Sequence, residues 1–245
     1  AGPASARNLG AQAASGDILF FVDADVTLGA DTVPQIQSIF RDRPDLAALI
    51  GSYDDAPGAA NFLSQYKNLF HHYTHQTGCE DACTFWGACG AIRREIFLKL
   101  GGFDESYRFP SVEDIELGYR LKRAGYSILL SKTVQVKHLK QWRFISLLKA
   151  EIFYRAIPWT ELIWRDRAFT NDLNLKISSR IGLLLTYSML GAAISAIWWA
   201  NSLLIAGFLG LVLLVIDRSI YQFFWRKRGF WFACRVVPWR WLYFL

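Results

Sequence analysis

The chain has 245 residues, 53% of them hydrophobic, and a mean hydropathy of +0.18, which is high for a purely soluble protein. Its net charge of +6 is unevenly placed: residues 1–180 carry 21 Lys and Arg against 20 Asp and Glu, whereas residues 181–245 carry 6 against 1. The basic excess therefore belongs to a hydrophobic tail, which excludes nucleic acid as the partner in favour of anionic lipid headgroups.

The chain opens on Ala1 rather than Met, inside what reads as a helix from Pro3 to Ala14, with proline in the first turn and Gly16 as the expected C-cap. That helix feeds Ile18 to Val22, an unbroken apolar run with the pattern of a strand buried on both faces in an α/β domain. A helix leading into such a strand implies an earlier strand, so the sequence is expected to be a fragment. The strand runs into Asp23-Ala24-Asp25. At the carboxyl end of a strand, period-two geometry would turn both carboxylates to one side, giving a hard oxygen site for Mg²⁺ or Mn²⁺ and, through the metal, for a diphosphate. A polar strand end before a turn is the plainer alternative.

Asp31 is the expected N-cap of a helix running to about Arg43, which Pro44 stops. Leu46 to Ile50 reads as a strand, Tyr53 to Ala60 as a loop and Asn61 to Tyr73 as a helix. His71, His72 and His75 are expected to be exposed at the end of that helix, because no acidic partner stands at ligand spacing. Cys79, Cys83 and Cys89 lack the Cys-x2-Cys spacing of a zinc site and read as reduced thiols of a cytosolic domain. Thr84 to Ile92 is a glycine-interrupted strand, where glycine marks either a bulge or the close approach of another backbone or a ligand. Arg93 and Arg94 follow, then a short helix and the turn Gly101-Gly102.

Ser111 and Gly125 bracket the next helix as N-cap and C′ residue. Asp114, in the first turn, has two compatible readings: it closes a capping box with Ser111, or it is a rigidly held carboxylate available as a base. Tyr126 to Leu130 and Val134 to His138 read as two strands, the second ending where His138 could supply a third metal ligand.

Taken in order, Gly2-Pro-Ala-Ser-Ala-Arg7-Asn8-Leu9-Gly10, Asp23-Ala24-Asp25, Trp86-Gly87-Ala88 with Arg93-Arg94, Gly101-Gly102-Phe103-Asp104-Glu105 and Glu113-Asp114 resemble glycosyltransferase family 2 over residues 1 to about 140. The resemblance implies a GT-A fold, α/β with a mixed, mostly parallel sheet, together with a nucleotide-diphosphate-sugar donor, a divalent metal and inversion at the anomeric carbon. It makes Asp25 a direct metal ligand, Asp23 a contact to the metal shell or the donor ribose, and Asp114 the base that deprotonates the acceptor. Arg7 falls on the donor side, and Gly87 and Glu113 fall in the loop that meets acceptor or donor. The first nucleotide-binding strand of the family would precede residue 1, so the fragment itself is expected to be inactive.

Beyond His138, Lys140, Arg143, Lys149 and Arg155 alternate with Trp142, Ile145, Leu148, Ile152 and Phe153, as in a basic amphipathic helix lying on a membrane or packed on the catalytic domain. Gln141-Trp142-Arg143-Phe144 lacks the Gln-x-x-Arg-Trp spacing of some polymerising members, which weighs against a processive polysaccharide synthase. Ile181 to Ala200 and Leu203 to Ile216 are apolar runs joined at Asn201-Ser202, with Lys176 and Arg180 before them and Arg218, Arg226, Lys227 and Arg228 after. They read as a hairpin with both ends in the cytosol. Phe230 to Leu245 reads as an interfacial or third segment.

The expected organisation is a catalytic domain over 1–140, interfacial helices over 141–180 and membrane segments over 181–245. The expected protein is a multi-pass enzyme, of the bacterial inner membrane, whose cytoplasmic domain serves a lipid-linked or glycan acceptor. A non-catalytic nucleotide-sugar-binding membrane protein is the alternative, disfavoured by the presence of both Asp25 and Asp114.

Overall fold

The apolar runs before residue 139 assemble into one five-stranded sheet of order β1-β4-β3-β5-β2. In the computed structural model, which describes residues 2–167, 173 and 176–245, the chain divides into two units, residues 1–172 and residues 173–245. The first begins with α1 (Pro3–Ala13), β1 (Ile18–Val22), β2 (Val26–Leu28), α2 (Thr32–Asp42), β3 (Ala48–Tyr53) and α3 (Phe62–Gln76). It continues with β4 (Cys89–Arg93), α4 (Arg94–Lys99), α5 (Glu113–Arg123), β5 (Ile128–His138), α6 (Phe144–Glu151), a π turn (Ile152–Ala156) and α7 (Ile157–Asp166).

The sheet is mixed, but only β3 and β5 pair in parallel; β1–β4, β3–β4 and β2–β5 are antiparallel, so it is not mostly parallel. Ile18 and Phe20 of β1 pack on the cluster of Ile36, Phe40, Leu49 and Val136. Phe21, on the opposite side, meets the rings of Phe85, Phe97 and Phe103 at centroid distances of 6.2, 5.2 and 5.1 Å. β1 is thus covered on both faces, though it ends the strand order and pairs only with β4.

Several local expectations change. Ala14, not Gly16, caps α1, its extended backbone donating back to the Gly10 carbonyl. The two strands expected after Gly125 are one, β5, whose pairing with β3 shifts register between Ile50 and Ser52. Ser111 does not cap α5: Val112 holds the N-cap position, and Ser111 donates its backbone N–H to Glu113 Oε2 at 2.8 Å. Gly125 does close that helix, at φ +81°, with the Tyr126 N–H returning to the Leu121 carbonyl in a Schellman motif. Helix α3 runs to Gln76, which draws the three histidines into the fold rather than leaving them at an exposed end; His72 and His75 are buried.

The second unit holds α8 (Ile177–Ser195), α9 (Ser202–Ile216), α10 (Arg218–Arg228) and α11 (Phe230–Tyr243). Among the described residues, α8 alone is long and apolar enough to cross a membrane. α9 reaches that length only together with α10, from which it is bent by 65°. Asp217 sits at the bend and is buried with Arg240 of α11, Nε to Oδ2 at 2.9 Å. The Arg240 guanidinium also lies 4.1 Å above the ring of Phe244.

Candidate active site

Helix α1 bolts the pieces of the site together through two adjacent side chains. Arg7 donates from Nη2 to Asp23 Oδ1 at 2.6 Å and from Nη1 to Glu113 Oε1 at 2.7 Å, joining the end of β1 to the start of α5. Burial opposes its charge, and the two carboxylates outweigh that and hold its pKa above the ordinary guanidinium value. Asn8 pairs with the backbone of Phe103 like a strand neighbour, accepting its N–H at 2.8 Å and donating to its carbonyl at 2.9 Å. The preceding residue, Gly102, has φ +73°, and a Cβ there would stand 2.5 Å from Asn8 Oδ1. The distant runs around Arg7-Asn8, Gly101-Gly102-Phe103 and Glu113 are therefore one contact set.

Asp114 is half-buried at the first turn of α5 with both oxygens held. Oδ2 accepts the Gly87 N–H at 2.9 Å and Oδ1 accepts the Ile115 N–H at 2.8 Å. Burial, reinforced by the neighbouring Glu113 charge, raises its pKa to about 6, against the opposing pull of those two N–H groups and Arg7. There is no capping box with Ser111. A Cβ on Gly87 would lie 3.3 Å from Arg7 Cζ, so the glycine brings its N–H to Asp114 and leaves room for the guanidinium. Of the two readings of glycine in this stretch, close approach is the one realised: a Cβ on Gly90 would stand 2.4 Å from the Trp86 carbonyl oxygen.

The Asp23 and Asp25 carboxylates take different partners. The chain turns at once after β1, with the Val26 N–H donating to the Asp23 carbonyl at 3.1 Å, so strand alternation has ended before Asp25. Asp23 goes to Arg7. The pairing of Val26 with His138 carries Asp25 to the end of β5, where Oδ2 lies 3.7 Å from His138 Nε2 and 3.6 Å from Lys140 Nζ. His138 holds the Asp25 carboxyl below its usual range against the opposing effect of burial, with Lys140 adding to the depression. Among the described residues no group of three His, Cys, Asp or Glu side chains forms a ready metal cage. The Asp25–His138 pair fits a divalent ion that takes its remaining ligands from water and phosphate oxygens, since one carboxylate and one imidazole suit Mn²⁺ or Mg²⁺ in that manner.

An aromatic floor lies between these two ends. Tyr53 stacks on His138 at 4.2 Å and meets Trp86 at 4.8 Å, and His71 lies against Trp86 at 4.5 Å. His75 donates its Nδ1–H to the Gly51 carbonyl oxygen at 2.9 Å, and burial pulls its pKa down to about 4. Sequence reasoning missed this floor. The signal was present in the i, i+4 spacing of Lys67, His71 and His75 on one face of α3.

A family model described as Glycosyltransferase like family 2 matches residues 1–167. Over 54 residues, 22% of this chain and 17% of the relative, the chain is 43% identical to an N-acetylglucosaminyl-diphospho-decaprenol L-rhamnosyltransferase of Mycobacterium tuberculosis. Over 161 residues, 62% of this chain and 33% of the relative, it is 26% identical to a pre-mycofactocin glycosyltransferase of the same species. The chain thus spans a third or less of the length of these curated relatives. Among solved structures it is similar to the mannosyltransferase PcManGT from Pyrobaculum calidifontis in complex with GDP-Man and Mn²⁺, with TM-score 0.53 and 20% identity, covering 97% of this chain and 67% of that one. This likeness concerns the fold, which is GT-A.

Proposed function

The chain belongs to glycosyltransferase like family 2, and on that basis we propose that it transfers a sugar, with inversion, from a nucleotide-diphosphate donor to a lipid-linked or glycan acceptor at a membrane. The observation that carries this reading is Asp114: a half-buried carboxylate, fixed by two N–H groups and tuned to about 6, has the geometry and pKa of a general base near neutral pH. It takes the proton of the acceptor hydroxyl as that oxygen attacks the anomeric carbon from the face opposite the leaving diphosphate. Arg7 keeps Asp23 and Glu113 neutralised, so that Asp114 can lose its proton beside them. Asp25 and His138 are the residues that would hold a divalent ion, which when bound neutralises the departing diphosphate. Tyr53 and Trp86 offer apolar ring surface next to the reacting sugar.

Two features support a membrane setting. Ile145 (77% exposed), Phe153 (60%) and Trp164 (71%) stand out from α6, the π turn and α7 beside Lys149 and Arg165, while Leu147, Trp159 and Leu162 turn inward. This supports an interfacial role for residues 144–166, whose opposite face is turned into the first unit. The second is α8, which meets the length of a span, and the basic Arg226, Lys227 and Arg228 at the end of α10 favour a cytosolic end there. The proposed site is therefore supplied from the cytosolic donor pool, at the inner membrane of a bacterium.

Calorimetry with nucleoside diphosphate and Mn²⁺ separates the two carboxylates. Asp25→Asn should abolish the metal-dependent part of binding, whereas Asp114→Asn should bind normally and turn over roughly 10²-fold more slowly. Metal-dependent binding that survives Asp25→Asn would remove Asp25 from the site.

A further inference from the structure

A patch of positive charge borders the aromatic floor, and neither Asp25 nor Asp114 makes use of it. On α3, Lys67 lies one turn before His71, so both project from one face. Its ammonium is 12% exposed and pairs with Glu151 of α6 at 2.5 Å. Arg155, from the π turn, reaches the same carboxylate at 3.4 Å. Burial and the field of Arg155 bring Lys67 down to about 8 against the pull of Glu151. Both cations also act on His71, whose buried Nδ1 has no hydrogen-bond partner among the described residues. Burial keeps that imidazole neutral, so its Nδ1–H tautomer is a donor awaiting an acceptor.

The position of this patch gives it meaning. The His71 ring touches Trp86 and Tyr53, which lead to Gly87 and Asp114 on one side and to His138 and Asp25 on the other. The π turn, a form of helix found frequently at functional sites, is tied to the start of α5 by Ser111 Oγ donating to the Tyr154 carbonyl at 3.0 Å, three residues ahead of Asp114. A sugar hydroxyl calls for no such concentration of cations. A phosphoryl group does, since its oxygens accept from an ammonium, a guanidinium fork and an imidazole N–H together.

We propose that Lys67, Arg155 and His71 Nδ1 form a binding site for a phosphoryl group carried by the acceptor, with the Glu151 carboxylate occupying the two cations until that group arrives. The glycosyltransferase reading enters only in naming the acceptor as the carrier. The phosphoryl site itself stands on the side chains.

The test is calorimetry on the full chain in detergent, with inorganic phosphate and with decyl phosphate, each in the presence of saturating nucleoside diphosphate and Mn²⁺. Both ligands should bind and displace one another. Lys67→Gln and Arg155→Gln should each weaken binding about tenfold or more, the scale of one lost charge-assisted hydrogen bond. Glu151→Gln should tighten it, because the competing carboxylate is gone; a purely structural ion pair predicts lower thermal stability and no gain in affinity. Should Lys67→Gln fail to fold, the more exposed Arg155→Gln carries the comparison. Unchanged affinity in a folded Arg155→Gln, or no gain with Glu151→Gln, overturns the site. Inorganic phosphate that decyl phosphate cannot displace overturns the acceptor as carrier. Phosphate binding without any nucleoside diphosphate binding would instead strike down the glycosyltransferase reading and leave the phosphoryl site standing.

Discussion

Arg7 is the side chain on which the charges of the site depend. Its two nitrogens reach carboxylates 16 and 106 residues along the chain, those of Asp23 and Glu113. Lysine cannot reproduce that fork. Arg7→Gln removes one of the groups that restrain the pKa of Asp114, so the acid limb of the pH–rate profile should move upward from about 6 and activity at pH 6 should fall more than activity at pH 8. The sign follows from the base being active only when ionised. A pH–rate profile with an unmoved acid limb would detach Arg7 from the electrostatics of Asp114. The sequence made Asp25, Asp114 and Arg7 visible as candidates, because residue type and order are local information. It hid the division of labour between Asp23 and Asp25, because the immediate turn after Val22 is decided by the pairing of Val26 with His138, more than a hundred residues away.

Elements were legible where apolar period and punctuation agreed. α2, α5 and the Gly101-Gly102 turn are where Pro44, Gly125 and the glycine pair place them. They were misread where tertiary contacts overrode local signals. Ser131, Lys132 and Thr133 look like a break between two strands, yet they stay within β5, where a register shift against β3 absorbs the irregularity. The histidines of α3 look solvent-facing, yet Tyr53 and Trp86 cover them. The packing of α5 on the loop ahead of β4 gives a direct check on how the base is placed. A Cβ on Gly118 would stand 2.2 Å from the Phe85 backbone nitrogen and 2.5 Å from Thr84 Cα, atoms with nowhere simple to go. Gly118→Ala should cost about 1–3 kcal/mol, the usual range for overpacking, and should lower turnover by shifting Gly87 off Asp114. Thermal melts and turnover measured together decide it. A stable variant of full activity would show that the Gly87 contact tolerates displacement.

Across the whole molecule the two units carry different kinds of order. The first unit is a layered α/β body whose polar groups build the candidate site, while the C-terminal unit is an apolar helical body that encloses the Asp217–Arg240 ion pair. Removing one member of such a pair costs about 3–5 kcal/mol, because the other is left charged and enclosed. Asp217→Asn and Arg240→Met should therefore each destabilise the C-terminal unit strongly, whereas the double variant should recover most of the loss in thermal melts in detergent. Equal losses in the single and double variants would show that the cost does not come from the charge left uncompensated. The same pair bears on how the chain is made. In the proposed membrane setting, where a lone aspartate or arginine is opposed by up to about 2.5–3.5 kcal/mol, Asp217 would wait uncompensated during synthesis until α11 has left the ribosome with Arg240. In that setting, stable insertion of α9 and α10 would depend on α11, and an arrested nascent chain stopped short of residue 240 should slip back toward the aqueous side while one that includes it stays in the bilayer.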